Sequence, residues 1–331
     1  MTLKRLLASL LLAGSLMSAG ATEAQSLEKY RGLPWYKQPG PAARRLGLAP
    51  TADPYKGMKK VLFIADQSTG SQSLHDSTYR AMAIMEEVAR KNGIALFIRT
   101  DFTYVTKQPV YGRPMPGIPT LDYSKGGPKE SIGHNLDWYD AVVFFTTGET
   151  TMTDQQKKDL ISFIKKDGKG FVGIHTATVT GYSWKDYGDM LGGRFDGHPW
   201  GRQDFKVIVE RPDFPGMDLF VADPSIKDEE IYQLLDEPYS RATEDVLARA
   251  DVSPFSKTEP DLRRTDNDFP VAWIKNYGAG RVFYGALGHS AESWDDPRYQ
   301  TLYLDAIKWV TKVFDYPIRP HPIPPSSLVK P

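Results

Sequence analysis

The run KKVLFIAD at residues 59–66 most restricts what this chain can fold into. Val61 to Ala65 are apolar without interruption, and Asp66 ends the run. A strand with one wet face alternates apolar and polar residues. A continuous run is expected where both faces are covered, as in a parallel sheet between helices. SLHDSTYRAMAIMEEVARKNG follows, with Met82, Met85, Val88 and Ala89 at helical spacing and Gly93 as a stop. IALFIRTD then reads as a second strand. This β-α-β order implies a right-handed crossover.

The same grammar continues down the chain. WYDAVVFFTTGE is a third buried strand, and TMTDQQKKDLISFIKKDGKG is an amphipathic helix capped by Thr153 or Asp154. GFVGIHTAT is a fourth strand ending in a sharp turn. FKVIVE, EIYQLL and the hairpin FPVAWIKNYGAGRVFYGALG, turned at Gly278-Ala279-Gly280, read as antiparallel. RYQTLYLDAIKWVTKVF closes the domain, with Asp295-Asp296-Pro297 as its capping start. Residues 102–135 form a long Pro- and Gly-containing loop, a lid or a subunit contact.

Outside this core the reading is of export. Lys4 and Arg5 precede an apolar stretch from Leu6 to about Met17, with a cleavage site at Ala19-Gly20-Ala21 or after Ala24. The stretch is short for a spanning helix, so residues 1–24 are expected to be a signal peptide and the product periplasmic or secreted. Residues 25–57 form an extended lead-in, 58–315 one α/β domain, and 316–331 a Pro-rich surface tail. The 41 Lys and Arg balance the 41 Asp and Glu, which points away from nucleic acid and from a membrane surface after cleavage. The chain has no cysteine, which excludes disulfides, thiolate metal sites and a cysteine nucleophile.

Ligands of open α/β sheets sit beyond the carboxyl ends of the strands. His75, His175 and His289 fall at such positions, and His198 lies in a Gly-rich turn able to fold back over them. Imidazole serves there as general acid, general base or metal ligand. GFVGIHTAT has the form of a nucleophile elbow with His175 at its centre, which suits acid/base work or ligation. Glu149 follows the third strand and Asp196 precedes His198. Tyr182, Trp184, Trp200 and Trp294 lie beside these motifs, where flat rings can cover the apolar faces of a sugar. His134 and His321 read as bland.

The segments KKVLFIAD, HDSTY, FFTTGE, GKGFVGIHTAT, YGDMLGGRFDGHPW, EEIYQL and FPVAWIKNYGAGRVFYGALGHSAESWDDPRY, with the closing AIKWV, resemble the ThuA-like (trehalose-utilisation) family over about residues 59–314. The resemblance implies a three-layer α/β sandwich. Its sheet would be mainly parallel, similar to flavodoxin and the class I glutamine amidotransferases, with an antiparallel extension. His175 stands where those amidotransferases carry cysteine, so glutaminase activity is expected to be absent. The family is linked to trehalose-type disaccharides through 3-keto-glycosides. His75, His175, His198 and His289 match its recurrent histidines, and Glu230 its acidic residue. Two departures stand out: Glu229 where the family has Asp, and Val179 where A-T-D-T carries an aspartate.

The expected catalytic set is therefore His175, His289, His75 and Glu230. His198, Asp196, Glu149, Trp200 and Trp294 are expected to bind a small carbohydrate substrate. A divalent metal is an open alternative to acid/base chemistry, with His75, His175 and His289 as its candidate ligands; an oligomer is also open. Three functions compete: a lyase or hydrolase of keto-sugars, a non-catalytic periplasmic carbohydrate binder, and a metal-dependent hydrolase of another substrate.

Overall fold

The computed structural model describes residues 55–66, 75–110 and 133–324. The expected signal peptide, the lead-in to residue 54, the stretches 67–74 and 111–132 and residues 325–331 lie outside the described residues. The chain divides between Gly57 and Met58, and the unit beginning at Met58 carries the fold.

In chain order it runs β1 (Lys59–Ile64), α1 (Ser77–Lys91), β2 (Ile94–Arg99), β3 (Ala141–Phe144), α2 (Asp154–Lys165), β4 (Gly170–Ile174), α3 (Lys185–Leu191), β5 (Arg202–Val209), α4 (Met217–Ala222), β6 (Ser225–Glu230), β7 (Asp245–Ala250), β8 (Pro270–Tyr277), β9 (Gly280–Gly285) and α5 (Pro297–Val310). The nine strands form one sheet in the order β2-β1-β3-β4-β9-β8-β7-β5-β6.

The sheet is mixed. β1 pairs in parallel with β2 and β3, β3 with β4, and β4 with β9. The remaining pairs, β9 with β8, β8 with β7, β7 with β5 and β5 with β6, are antiparallel. The expectation of a mainly parallel sheet is thus corrected: the antiparallel part is no mere extension. Its strands are quieter in sequence, because β6 (SIKDEE) and β7 (DVLARA) mix charges with apolar residues. The expected strand EIYQLL is displaced too, since β6 ends at Glu230 and beyond it Leu234 makes an isolated bridge to Phe195.

Successive residues of β1 divide between two apolar clusters, Val61 and Phe63 in one and Leu62 and Ile64 in the other. The first cluster holds residues of α1 and α5, the second residues of α2 and α3, so helices cover both faces. The continuous apolar run follows from that double burial. Ala81, Met85 and Ala89 form the buried seam of α1, while Met82 and Val88 pack at its edge. Thr153 caps α2 in a capping box with Gln156, and Asp296 caps α5 ahead of Pro297. Gly170 lets α5 lie close against the sheet, for a Cβ there would stand 2.7 Å from Val310. Among the described residues no helix is long and apolar enough to cross a membrane.

Candidate functional site

Four side chains converge at the carboxyl edge of the parallel strands. His175 follows β4 directly, His289 follows β9, His75 lies just ahead of α1, and Glu230 ends β6. One ligand atom from each of His75, His175, Glu230 and His289 lies within 4.8 Å of every other. Four points so spaced all fit within about 3 Å of a common centre, so modest inward shifts of the side chains would bring them to the Zn–N distance of about 2.0–2.1 Å.

Backbone geometry aims these groups. His175 has φ 46°, a left-handed conformation costly for a residue with a side chain. It opens a single 3₁₀ turn, His175–Thr178, and the Tyr284 hydroxyl holds its carbonyl at 2.7 Å. The elbow expected from GFVGIHTAT is therefore present as strained backbone. Gly288, at φ 123°, turns the chain into His289 while the ring of Trp294 packs against it.

The imidazoles are held in defined states. His175 Nδ1 donates to the Ala286 carbonyl at 2.7 Å, which leaves the lone pair on Nε2. That Nε2 lies 2.9 Å from the Tyr232 hydroxyl, 3.3 Å from His289 Nδ1 and 3.6 Å from Glu230 Oε2. His289 Nδ1 is 3.3 Å from Glu230 Oε2, and His198 Nε2 is 3.5 Å from Glu230 Oε1. Burial pushes the His175 imidazole down to about 3, against the pull of Glu230, so the ring is neutral at ordinary pH. Burial alone would raise Glu230. The hydrogen bond from His289 and the facing histidines outweigh it and hold the carboxyl at about 2. His289 is raised, because its hydrogen bond and charge pairing with Glu230 overcome its own desolvation.

Above these groups opens a cleft of about 590 Å³, ample for a small ligand. His75, His198, Glu230, Tyr232 and His289 line it, together with Thr176, Val179 and Arg202. A larger groove of about 730 Å³ runs beside α2 and α3, lined by Lys157, Lys165, Lys185 and Trp184. It holds no converging set of this kind, so the chemistry is assigned to the histidine cleft.

The expected binding residues fare unevenly. His198 stands at the mouth, its side chain 42% exposed. Trp294 is wholly buried, stacked on Tyr303 under the His289 loop, and cannot cover a sugar. Trp200 packs between Phe255 and Phe269, outside the cleft lining. Asp196 is bound to Arg263 at 2.6 Å, and Glu149 accepts from the Ser183 amide and hydroxyl. Neither lines the cleft, and neither do Tyr182 and Trp184. In each case a neighbouring core or loop partner claims the side chain. His321 lies outside the cleft lining, and its Nε2, 2.7 Å from Glu210 Oε2, fastens the described part of the tail.

Two residues at the centre, Tyr232 and Glu229, were not among the expected site residues. Tyr232 touches His175, and its spacing of two from Glu230 was the available signal, since alternate residues of an extended segment share a face. Glu229, wholly buried, accepts backbone N–H bonds from Gly288 at 2.9 Å and from His289 at 3.1 Å. Burial pushes its carboxyl up to about 7, against those hydrogen bonds.

The family description ThuA, trehalose utilisation, matches residues 125–310, more than half of the chain. The chain belongs to the ThuA family. A protein described as ThuA-like from Bacteroides uniformis is 20% identical, with a TM-score of 0.56 over 78% of this chain and 94% of its own. A ThuA-like protein from Parabacteroides merdae is 14% identical, with a TM-score of 0.50 over 77% of this chain and 91% of its own. At such identities these likenesses carry the fold alone. No curated protein matches the chain. ThuA membership places the protein in sugar metabolism.

Proposed function

We propose that this ThuA protein is an exported enzyme that cleaves 3-keto-glycosides of trehalose type at a divalent transition-metal centre held by His75, His175, Glu230 and His289. The convergence of three imidazoles and a carboxylate beneath an open cleft carries this reading. The donor set fits: neutral nitrogen plus carboxylate oxygen suits zinc and its neighbours. The His175 Nδ1–H bond to a backbone carbonyl is the outer contact that metal-bound histidines use to fix their tautomer. A bound ion would supply Lewis acidity, polarising a ketone oxygen.

In a 3-keto-glycoside the carbon between ketone and anomeric carbon bears an acidified hydrogen. His198 is outside the ligand set and faces the cleft, and it takes that proton. The released electron pair forms a double bond to the anomeric carbon, whose bond to the glycosidic oxygen breaks. The departing oxygen is protonated from solvent or from His198. Water then adds across the new double bond, so the net reaction is hydrolysis. Export rests on the Lys4-Arg5, apolar and small-residue pattern of the N-terminus. Mass spectrometry of the expressed protein should find a mature N-terminus near residue 25.

The deciding experiment is turnover of 3-keto-trehalose by the purified protein with and without chelator. Activity that chelator abolishes and metal restores supports the reading. No cleavage or isomerisation of any 3-keto-glycoside overturns it. Val179, apolar in the cleft wall, favours a second reading, a carbohydrate binder without turnover. Calorimetry showing tight binding of the unmodified disaccharide with no product would select it.

A further inference from the structure

The cleft holds a phenol whose hydrogen bond competes directly with metal ligation at His175. The Tyr232 ring stacks on His175 at an interplanar angle of 29°, centroids 4.8 Å apart, and Phe195 packs edge-on against it at 4.5 Å. These contacts fix the ring, which is 4% exposed yet reaches the cleft lining. Because His175 Nδ1 carries its proton toward Ala286, its Nε2 can only accept, and the Tyr232 hydroxyl donates to it at 2.9 Å. Nε2 also faces Glu230 and His289, so it is the His175 atom that belongs to the ligand set. A single nitrogen lone pair serves either the phenol proton or an ion.

We infer that Tyr232 is a catalytic residue whose hydroxyl gives up its hydrogen bond to His175 Nε2 when metal binds and donates instead to the substrate oxygen at that centre. The inference rests on the metal centre proposed above. It assigns the donor that meets the negative charge growing on the ketone oxygen as the neighbouring proton leaves. Donors aimed at such an oxygen are worth about 10²- to 10³-fold in rate.

Tyr232→Phe keeps the ring that packs on His175 and Phe195 and removes only the hydroxyl. Metal affinity would be measured by zinc titration against a competing chelator, and kcat and KM on 3-keto-trehalose, for wild type and variant at equal thermal midpoints. Losing the competing hydrogen bond should tighten zinc binding by about 2- to 10-fold. The variant's kcat should fall by about 10²- to 10³-fold with KM changed less than about threefold. Zinc should also perturb the tyrosine near-ultraviolet spectrum of the wild type and not that of the variant. A wild type that binds no zinc, or turns over no keto-glycoside, defeats the proposed function. A wild type that does both, beside an indistinguishable variant, defeats the Tyr232 assignment alone. A variant that loses zinc affinity together with activity also overturns it, because Tyr232 would then be supporting the ligands.

Discussion

The two ends of the sheet are held together by different physics. From β2 to β9 the strands pair in parallel, and their residues are apolar on both faces. Burial of side chains such as Phe63, Phe144 and Phe171 stabilises this region. From β8 to β6 the pairing is antiparallel and charges are buried among the strands. Glu210 meets Arg241 at 2.6 Å and Arg249 at 2.9 Å, Arg241 meets Asp268 at 2.5 Å, and Lys275 meets Glu244 at 2.5 Å. Such groups are tolerable inside only because each has partners. The ligand set straddles the seam: His75 and His175 come from the parallel region, Glu230 from the antiparallel one, and His289 from the loop after β9. An ion held there would fasten the two regions together.

The largest expected effect tests that fastening. His175→Ala should abolish metal binding and lower keto-glycoside turnover by at least about 10³-fold, as would chelation of the wild type. Saturating metal at about 1,000 times its Kd should stabilise the wild type by about 4 kcal/mol and the variant not at all. Thermal melts with and without zinc measure this. An equal metal-induced shift in both proteins would show that the ion binds elsewhere.

The next comparison sets one region against the other. Phe63→Ala opens a cavity in the parallel region and should cost about 3–5 kcal/mol. Glu210→Ala should cost a similar 3–5 kcal/mol for another reason: Arg241, Arg249 and His321 lose a shared buried partner. Urea denaturation separates the causes when salt is varied. The Phe63 variant's loss should be insensitive to salt, whereas a Glu210 variant losing under about 1 kcal/mol would show that its ion network adds little.

A smaller effect concerns positioning at the seam. Glu229 binds the backbone N–H groups that aim His289, without touching a ligand nitrogen. Glu229→Gln turns one acceptor into a donor facing those N–H groups. Zinc affinity should fall by about 10- to 100-fold with the fold kept. An unchanged affinity would mean the loop is set by Gly288 and Trp294 alone.

The sequence makes these regions unequally legible. The parallel strands were visible because double burial writes long apolar runs, as in Val61–Ala65 and Ala141–Phe145. The elbow at His175 was visible because a small-residue turn follows such a run. β7 was not visible, since Asp245 and Arg249 are inward charges whose partners Arg211 and Glu210 lie far off in sequence. Resemblance brought Glu230 into the site, yet it gave its neighbours Glu229 and Tyr232 no role there. One binds backbone and the other binds the far ring nitrogen of a histidine, and both contacts exist only after β6 lies across the seam. Trp294 misled for the converse reason, for its place beside His289 in sequence is a place beneath it in space.

The smallest effect asks whether the parallel region tolerates an ion as the antiparallel one does. Asp305, on α5, is half-buried beside Lys308 at 3.3 Å. Burial raises its carboxyl above the usual value, and Lys308 only partly opposes this. A carboxyl raised on folding binds its proton more tightly in the native state. Its contribution therefore favours the fold at acid pH and is lost as pH rises through the native value, leaving the ionised group as a net cost at neutrality. Asp305→Asn removes that cost. It should stabilise the protein slightly at pH 7, by less than about 0.5 kcal/mol, with the gain vanishing toward pH 3. Glu210, held by two arginines, should show the opposite sign at pH 7 when made Gln. Should Asp305→Asn instead destabilise at pH 7, Lys308 would be compensating the buried charge in full, and the contrast between the two regions would narrow to the number of ions each contains.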